Sequence, residues 1–144
     1  MNPVRTAAVI VTHRRPAPLA RLLDSLAAGQ VRPAITIVVD NAGDDPDTRR
    51  VVAEDRGLAL LREPHPGNPG PGAGWKRGME LALDHPCAPT HFLQLDDDVV
   101  LPERAIARLI ESLEANGGPD AGAAAPLLAD PGGRLWAFPE PRDP

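Results

Sequence analysis

Apolar runs that end in polar residues, separated by stretches of helical periodicity, limit this 144-residue chain to very few architectures. The first run, Thr6 to Thr12 (TAAVIVT), is continuous, as expected of a strand covered on both faces. From Pro16 the pattern changes. Leu19, Leu22, Leu23 and Leu26 fall on one face of a helix, with proline in its first turn and Gly29 at its end. Ile35 to Val39 gives a second buried strand that closes in Asp40-Asn41, and Asp44-Asp45-Pro46-Asp47-Thr48 supplies start signals for a helix through Ala53 to Gly57. Residues 58–61 read as a third, short strand. Residues 64–74 are dominated by proline and glycine and read as a loop. Trp75, Met79, Ala82 and Leu83 then return to helical spacing, and Phe92 to Leu95 forms an apolar run that delivers Asp96-Asp97-Asp98. Ile106, Leu109, Ile110 and Leu113 mark a further helix, stopped by residues 116–119. Residues 122–128 read as a fifth strand, residues 130–133 as a turn and residues 134–138 as a short extended piece. The alternation predicts an α/β fold, a mostly parallel sheet with helices on both faces and right-handed crossovers. Loops after the first four strands then gather along one sheet edge, where open α/β sheets bind ligands.

The length fits one domain over residues 1–144. A net charge of -5 with arginines scattered rather than blocked argues against nucleic acid as the main partner. No stretch approaches the ~20 apolar residues of a membrane span, and Met1 to Arg5 lacks the apolar core of a secretory leader. Cys87 is the only cysteine, so no intramolecular disulfide forms. These features lead us to expect a cytoplasmic protein, with peripheral attachment to the inner face of a membrane left open.

Three residue groups carry the chemistry. Adjacent carboxylates repel one another, and a divalent cation with hard oxygen ligands is the usual remedy. On an extended backbone Asp96 and Asp98 share one side and Asp97 points away, so two of the three can grip one object. The alternative is an acidic loop capping the next helix. Asp40 ends the second strand where α/β folds often set an acid against a nucleoside; an Asx turn or helix cap would place it there too. Gly70, Gly72 and Gly74 would let backbone approach a ligand, or serve a loop that needs positive φ. Trp75 reads as core, whereas Lys76 and Arg77 face either phosphate or solvent. Several chemistries are missing. The turn after the first strand lacks the spaced glycines of a dinucleotide site, and the Gly67 to Gly74 segment lacks the Gly-Lys-Ser/Thr of a phosphate loop. No Gly-x-Ser-x-Gly or His/Cys cluster occurs, and His13, His65, His85 and His91 stand alone.

With Thr12-x-x-Arg15-Pro16, Val38-Val39-Asp40-Asn41, Gly72-x-Gly74 and Leu95-Asp96-Asp97-Asp98 in this order, the chain resembles the nucleotide-binding part of family 2 glycosyltransferases of GT-A fold. Within that family it looks most like the rhamnosyl- and galactofuranosyltransferase branch. The resemblance implies a Rossmann-like, inverting, metal-dependent transferase. Asp96 and Asp98 would hold Mg²⁺ or Mn²⁺ and, through it, the diphosphate of a UDP- or dTDP-sugar. Asp40 would bond the pyrimidine, the Thr12 backbone would border the base and Arg15 would lie beside the nucleotide. Gly72 and Gly74 would approach the donor, and a glycan or lipid-linked acceptor would receive the sugar. The family's catalytic base lies beyond the donor-binding half, so these residues are expected to form a donor-binding part lacking the acceptor region. A sugar nucleotidyltransferase and a non-catalytic nucleotide- or metal-binding module are the competing readings. The first should carry a glycine-rich basic turn where His13-Arg14-Arg15-Pro16 stands.

Overall fold

The computed structural model describes residues 4–117, 122–126, 130 and 132–134. Four parallel strands form one sheet: β1 (Thr6–Thr12), β2 (Ile35–Asp40), β3 (Leu60–Pro64) and β4 (His91–Asp96), in the order β3-β2-β1-β4. The helices between them are α1 (Pro16–Ala28), α2 (Pro46–Ala53) and α3 (Pro71–Leu83), and α4 (Ala105–Gly117) follows β4. The α/β class and the parallel sheet expected from the alternation are what the chain forms.

The two central strands explain the unbroken apolar runs. Every residue of β2 and all but Val11 of β1 are buried. Side chains alternate across the sheet. Ala7, Val9, Ile35, Ile37 and Val39 lie on one face, where Trp75, Met79 and Ala82 of α3 pack against them. Ala8, Ile10, Thr36 and Val38 take the other face and are equally buried, and α1 buries the leucines of its apolar stripe, Leu19, Leu22, Leu23 and Leu26. On the first face α3 sits unusually close. A β-carbon on Gly78 would run into Val9 Cγ1, and one on Gly74 would stand 2.7 Å from Val11 Cγ1, so both glycines are there for helix-sheet contact.

Several boundaries differ from the sequence expectation. The third strand lies at Leu60–Pro64 rather than residues 58–61. It is the edge strand beyond β2, and what fixes it is register, with Ile37 against Leu61 and Asp40 against Pro64. The glycine-rich segment is not a loop throughout: α3 begins at Pro71, which fits the first helical turn, so Gly72 and Gly74 are helical. The fifth strand expected over residues 122–128 is absent from residues 122–126, an alanine-rich stretch without β-branched side chains; 127 and 128 lie outside the described residues. The turn near Asp130 does form, with Gly133 N–H donating to Asp130 O at 2.8 Å. Of the extended piece at 134–138, only Arg134 is described, and it lies in no strand.

The chain divides into two compact units, Met1–Ile106 with the sheet and Ala107–Pro144. The cleft described below lies wholly in the first. Among the described residues no helix is long and apolar enough to cross a membrane.

Candidate functional site

Strand order alone predicts where a ligand site belongs. From β1 the chain steps outward through β2 to β3, then returns to place β4 on the other side of β1. At that reversal the connections leaving β1 and β4 diverge and open a crevice at the carboxyl ends of the strands. A cleft of about 290 Å³ occupies the position, lined by Val11, Thr12, His13 and Arg15 from the end of β1 and by Asp96, Asp97 and Asp98 from the end of β4; Asn41, Asn68 and Pro71 close its third side.

Asp96 ends β4, and Asp97 and Asp98 belong to the turn that follows it, so the expected extended backbone stops before the triplet is complete. Asp97 turns inward and is 5% exposed. One of its oxygens accepts from Thr12 Oγ1 at 2.7 Å and the other from Arg15 Nη1 at 2.9 Å. Burial pushes the Asp97 carboxyl above the ordinary aspartate range, while Thr12 and Arg15 pull it back. Two short donors, one on each oxygen, are the pattern of the ionised form. Asp96 and Asp98 face outward. Asp98 Oδ2 accepts from Arg15 Nη2 at 2.8 Å, and Asp96 has no hydrogen bond or ion pair among the described residues.

Arg15 reaches the triplet because of the turn before it. Arg14 takes the left-handed region at φ 53°, uncommon for a residue with a β-carbon, and the chain turns back into α1 with Arg15 at its N-cap. The Asp98 hydrogen bond, then the charge of Asp97, hold the Arg15 guanidinium above its already high ordinary value. Electrostatic repulsion among the aspartates, the sequence argument for a metal, therefore has an answer within the chain itself.

Asp40 sits differently. It is 0% exposed, with Oδ1 accepting from Ala42 N–H at 3.0 Å and Oδ2 from Arg62 Nη2 at 2.6 Å. That is an Asx turn combined with a buried ion pair, and a base could touch Asp40 only if residues 41–43 or Arg62 moved. Thr12 is on the cleft with its carbonyl engaged by Asn41 N–H at 2.9 Å. Of the glycines, Gly72 has open space where a side chain would stand, whereas Gly74 is occupied by packing against Val11. Trp75 lies against the core, Arg77 pairs with Glu63 at 2.7 Å, and Lys76 is in solvent.

Asn41, Asn68 and the bonds of Asp97 to Thr12 and Arg15 were not foreseen. Asn41 knots the rim together: its carbonyl accepts from Asn68 N–H and its Nδ2 donates to Gly70 O, both at 3.0 Å. Asn68 supplies a φ of 44°, a conformation asparagine tolerates better than most residues, and its place among prolines and glycines was the available signal.

An ion such as Mg²⁺ usually takes one or two carboxylates and completes its shell with phosphate and water. Asp96 and Asp98 fit that donor set, being hard oxygen ligands on the open side of the cleft. Among the described residues no cluster of three or more ligating side chains exists, so a cage made wholly of protein does not fit.

Comparison with known proteins places this geometry among relatives. The model of glycosyl transferase family 2 matches residues 7–126. Two crystal structures of S. aureus TarS share the fold. One, of TarS 1-349, has a TM-score of 0.63 at 18% identity and covers 77% of this chain and 32% of that one. The other, of TarS, has a TM-score of 0.62 at 18% identity over 77% of this chain and 20% of that one. The chain thus spans a third or less of the length of these relatives. No curated protein sequence matches it.

Proposed function

The chain belongs to glycosyl transferase family 2, and from that premise we propose that it is the donor-binding part of an inverting, divalent-metal-dependent glycosyltransferase. The donor in this reading is a UDP- or dTDP-sugar and the acceptor a glycan or lipid-linked sugar, as in the rhamnosyl- and galactofuranosyltransferase branch. One observation carries it: at the reversal of strand order, a carboxylate without a side-chain partner among the described residues, Asp96, and a half-exposed one, Asp98, share the open side of the cleft.

Mg²⁺ or Mn²⁺ held by Asp96 and Asp98 would neutralise the charge that grows on a departing nucleoside diphosphate. The rest is done by the chain. Thr12 and Asp97 fix Arg15 at the cleft, beside the nucleotide, and the Thr12 backbone borders the base. Gly72, with nothing above it, leaves room for the donor to approach. Asp40 contributes by holding the Asn41 turn and Arg62 rather than through free surface of its own. Deprotonating an acceptor hydroxyl is a separate task. Among the described residues lining the cleft the only carboxylates are those of the triplet. We therefore assign donor binding to this part and leave the base to no residue of the cleft.

Calorimetry with UDP and dTDP, with and without Mn²⁺, tests the reading. Binding should require the metal, and Asp96→Asn should weaken it about 100-fold or more, since loss of even an outer-shell partner of a metal site costs about 10–100-fold. Equal affinity in a chelator would refute metal dependence. No binding of either nucleotide would refute the donor site.

A further inference from the structure

Arg15 joins two carboxylates with one guanidinium, and the two ends of that bridge are unlike. On the Asp97 side the acceptor is buried, and its second oxygen is already taken by Thr12 Oγ1. On the Asp98 side the carboxylate is 47% exposed and has Arg15 Nη2 as its one partner among the described residues. Water competes for an exposed ion pair and leaves it little net strength, whereas a buried carboxylate robbed of its partner is costly. The Nη2 contact can therefore be given up while the Nη1 contact stays. Asp96, on the same open side as Asp98, lies close enough to add to the field on Arg15 and has no side-chain partner of its own among the described residues.

Resting on the donor-site reading above, we propose that Arg15 is an exchangeable counter-ion built into the site. Anchored on Asp97 through Nη1, it occupies Asp98 with Nη2 until a divalent cation claims that carboxylate, and Nη2 is then free to pair with the diphosphate that arrives with the cation. A planar fork suits this task. Its donors point in fixed, separate directions, so one can be held while the other changes acceptor, which the single point charge of a lysine does not allow. Asp97 is accordingly a positioning residue, acting through Arg15. The exchange makes metal alone a weak ligand, because it must displace an internal cation. It also couples metal to diphosphate, since the phosphate gives the displaced Nη2 a new partner; such coupling is reciprocal by thermodynamic necessity.

Mn²⁺ binding without nucleotide, followed by electron paramagnetic resonance in a double-mutant cycle, reads this directly. Arg15→Gln should bind Mn²⁺ about tenfold more tightly than the unmodified chain, a moderate value for site-to-site coupling. In an Asp98→Asn background the same substitution should change Mn²⁺ affinity little, because no occupied carboxylate remains to be released. An equal gain in both backgrounds would mean through-space repulsion alone and would overturn the exchange, as would no gain in either. A second measurement uses the unmodified chain labelled with ¹⁵N-arginine. The Arg15 guanidinium signals should shift with the same midpoint as Mg²⁺ binding, and signals unmoved at saturation would also overturn the proposal. UDP titrations on the same samples keep the two readings apart. Mn²⁺-dependent UDP binding with a motionless Arg15 refutes the exchange alone, whereas loss of all Mn²⁺ and UDP binding refutes the donor site with it.

Discussion

Asp40 and Asp96 look alike in the sequence, each an acid closing an apolar strand, and the fold treats them oppositely. Thr12 pairs with Asp40 and Val11 with Asp96, so the two acids are in register with neighbouring residues of β1 and therefore lie on opposite faces of the sheet. Asp40 falls on the face where β3 presents Arg62, which is paired with Val38, one pleat from Asp40. A buried ion pair results. Asp96 falls on the other face at the outer strand β4, where no cation meets it among the described residues. An acid at a strand end is thus free to serve as a ligand only where the adjoining strands leave it unpaired, and in these two cases parity of register sets that.

The most forceful way to break this contrast is to remove Asp40. Arg62, whose side chain is 15% exposed, would keep its contact with Gly43 O at 3.1 Å but lose its counter-charge. Breaking a buried pair from one side typically costs 3–5 kcal/mol, and about 3 kcal/mol is expected of Asp40→Ala because Arg62 retains some solvent and one acceptor. Urea unfolding measures it. Asp96→Asn should leave the same unfolding curve unmoved, since Asp96 is exposed and has no side-chain partner among the described residues. If Asp40→Ala kept its stability and lost nucleotide binding instead, the two acids would have the same role and the distinction would fail.

How much of this was legible beforehand follows from the same register. The unbroken runs of β1 and β2 announced strands buried on both faces, and the alternation announced the parallel sheet. The expectation that Asp97 points away from its two neighbours agrees with its burial, although Asp97 and Asp98 lie in the turn after β4 and not on extended backbone. The cation beside the triplet was not legible. Arg15 is 82 residues from Asp97 in sequence, and its approach depends on the left-handed turn at Arg14 and on β4 returning to lie beside β1. Asp40's partner was hidden for the same reason, because Arg62 lies on a strand whose bounds shifted with its pairing. Gly72-x-Gly74 misled in another way: periodicity showed α3 only from Trp75, and two glycines in a first helical turn look like a loop until the close contact with Val11 is seen.

A smaller effect sharpens the comparison within α3, between the covered end of the sheet and the open one. At Gly78 a β-carbon would overlap Val9 Cγ1 and come within 3.2 Å of Val39 Cγ2, both on strands fixed in mid-sheet. Overpacking of that kind costs about 1–3 kcal/mol, against about 1 kcal/mol gained by replacing a helical glycine, so Gly78→Ala should lose up to about 2 kcal/mol. Gly72 meets nothing within 4 Å, and Gly72→Ala should have the opposite sign. Thermal unfolding of the two variants checks this. A loss at Gly72 as large as at Gly78 would show that the rim is as tightly packed as the sheet.

The smallest effect concerns a third acid, one that neither lines the cleft nor is buried. Asp45 caps α2, where its Oδ2 accepts from Thr48 Oγ1 at 2.7 Å and from Thr48 N–H at 2.8 Å. Those two bonds, the side-chain one first, hold the Asp45 carboxyl below the ordinary aspartate range. A group whose folded value lies below its unfolded one binds fewer protons when folded through that interval. Its stabilisation is therefore complete above the ordinary aspartate value and is lost as pH falls through the lower, folded value. Asp45→Ala should depress the melting temperature at neutral pH, and the gap from the unmodified chain should close as the solution is acidified past the ordinary aspartate range. Asp45→Asn retains an acceptor oxygen and should recover part of the loss with much weaker pH dependence. Neither variant should alter nucleotide binding, because Asp45 is not among the residues lining the cleft. A gap that stays constant with pH would assign the cap to hydrogen bonding alone. A change in UDP affinity would instead join Asp45 to Asp96 and extend the donor site beyond the triplet.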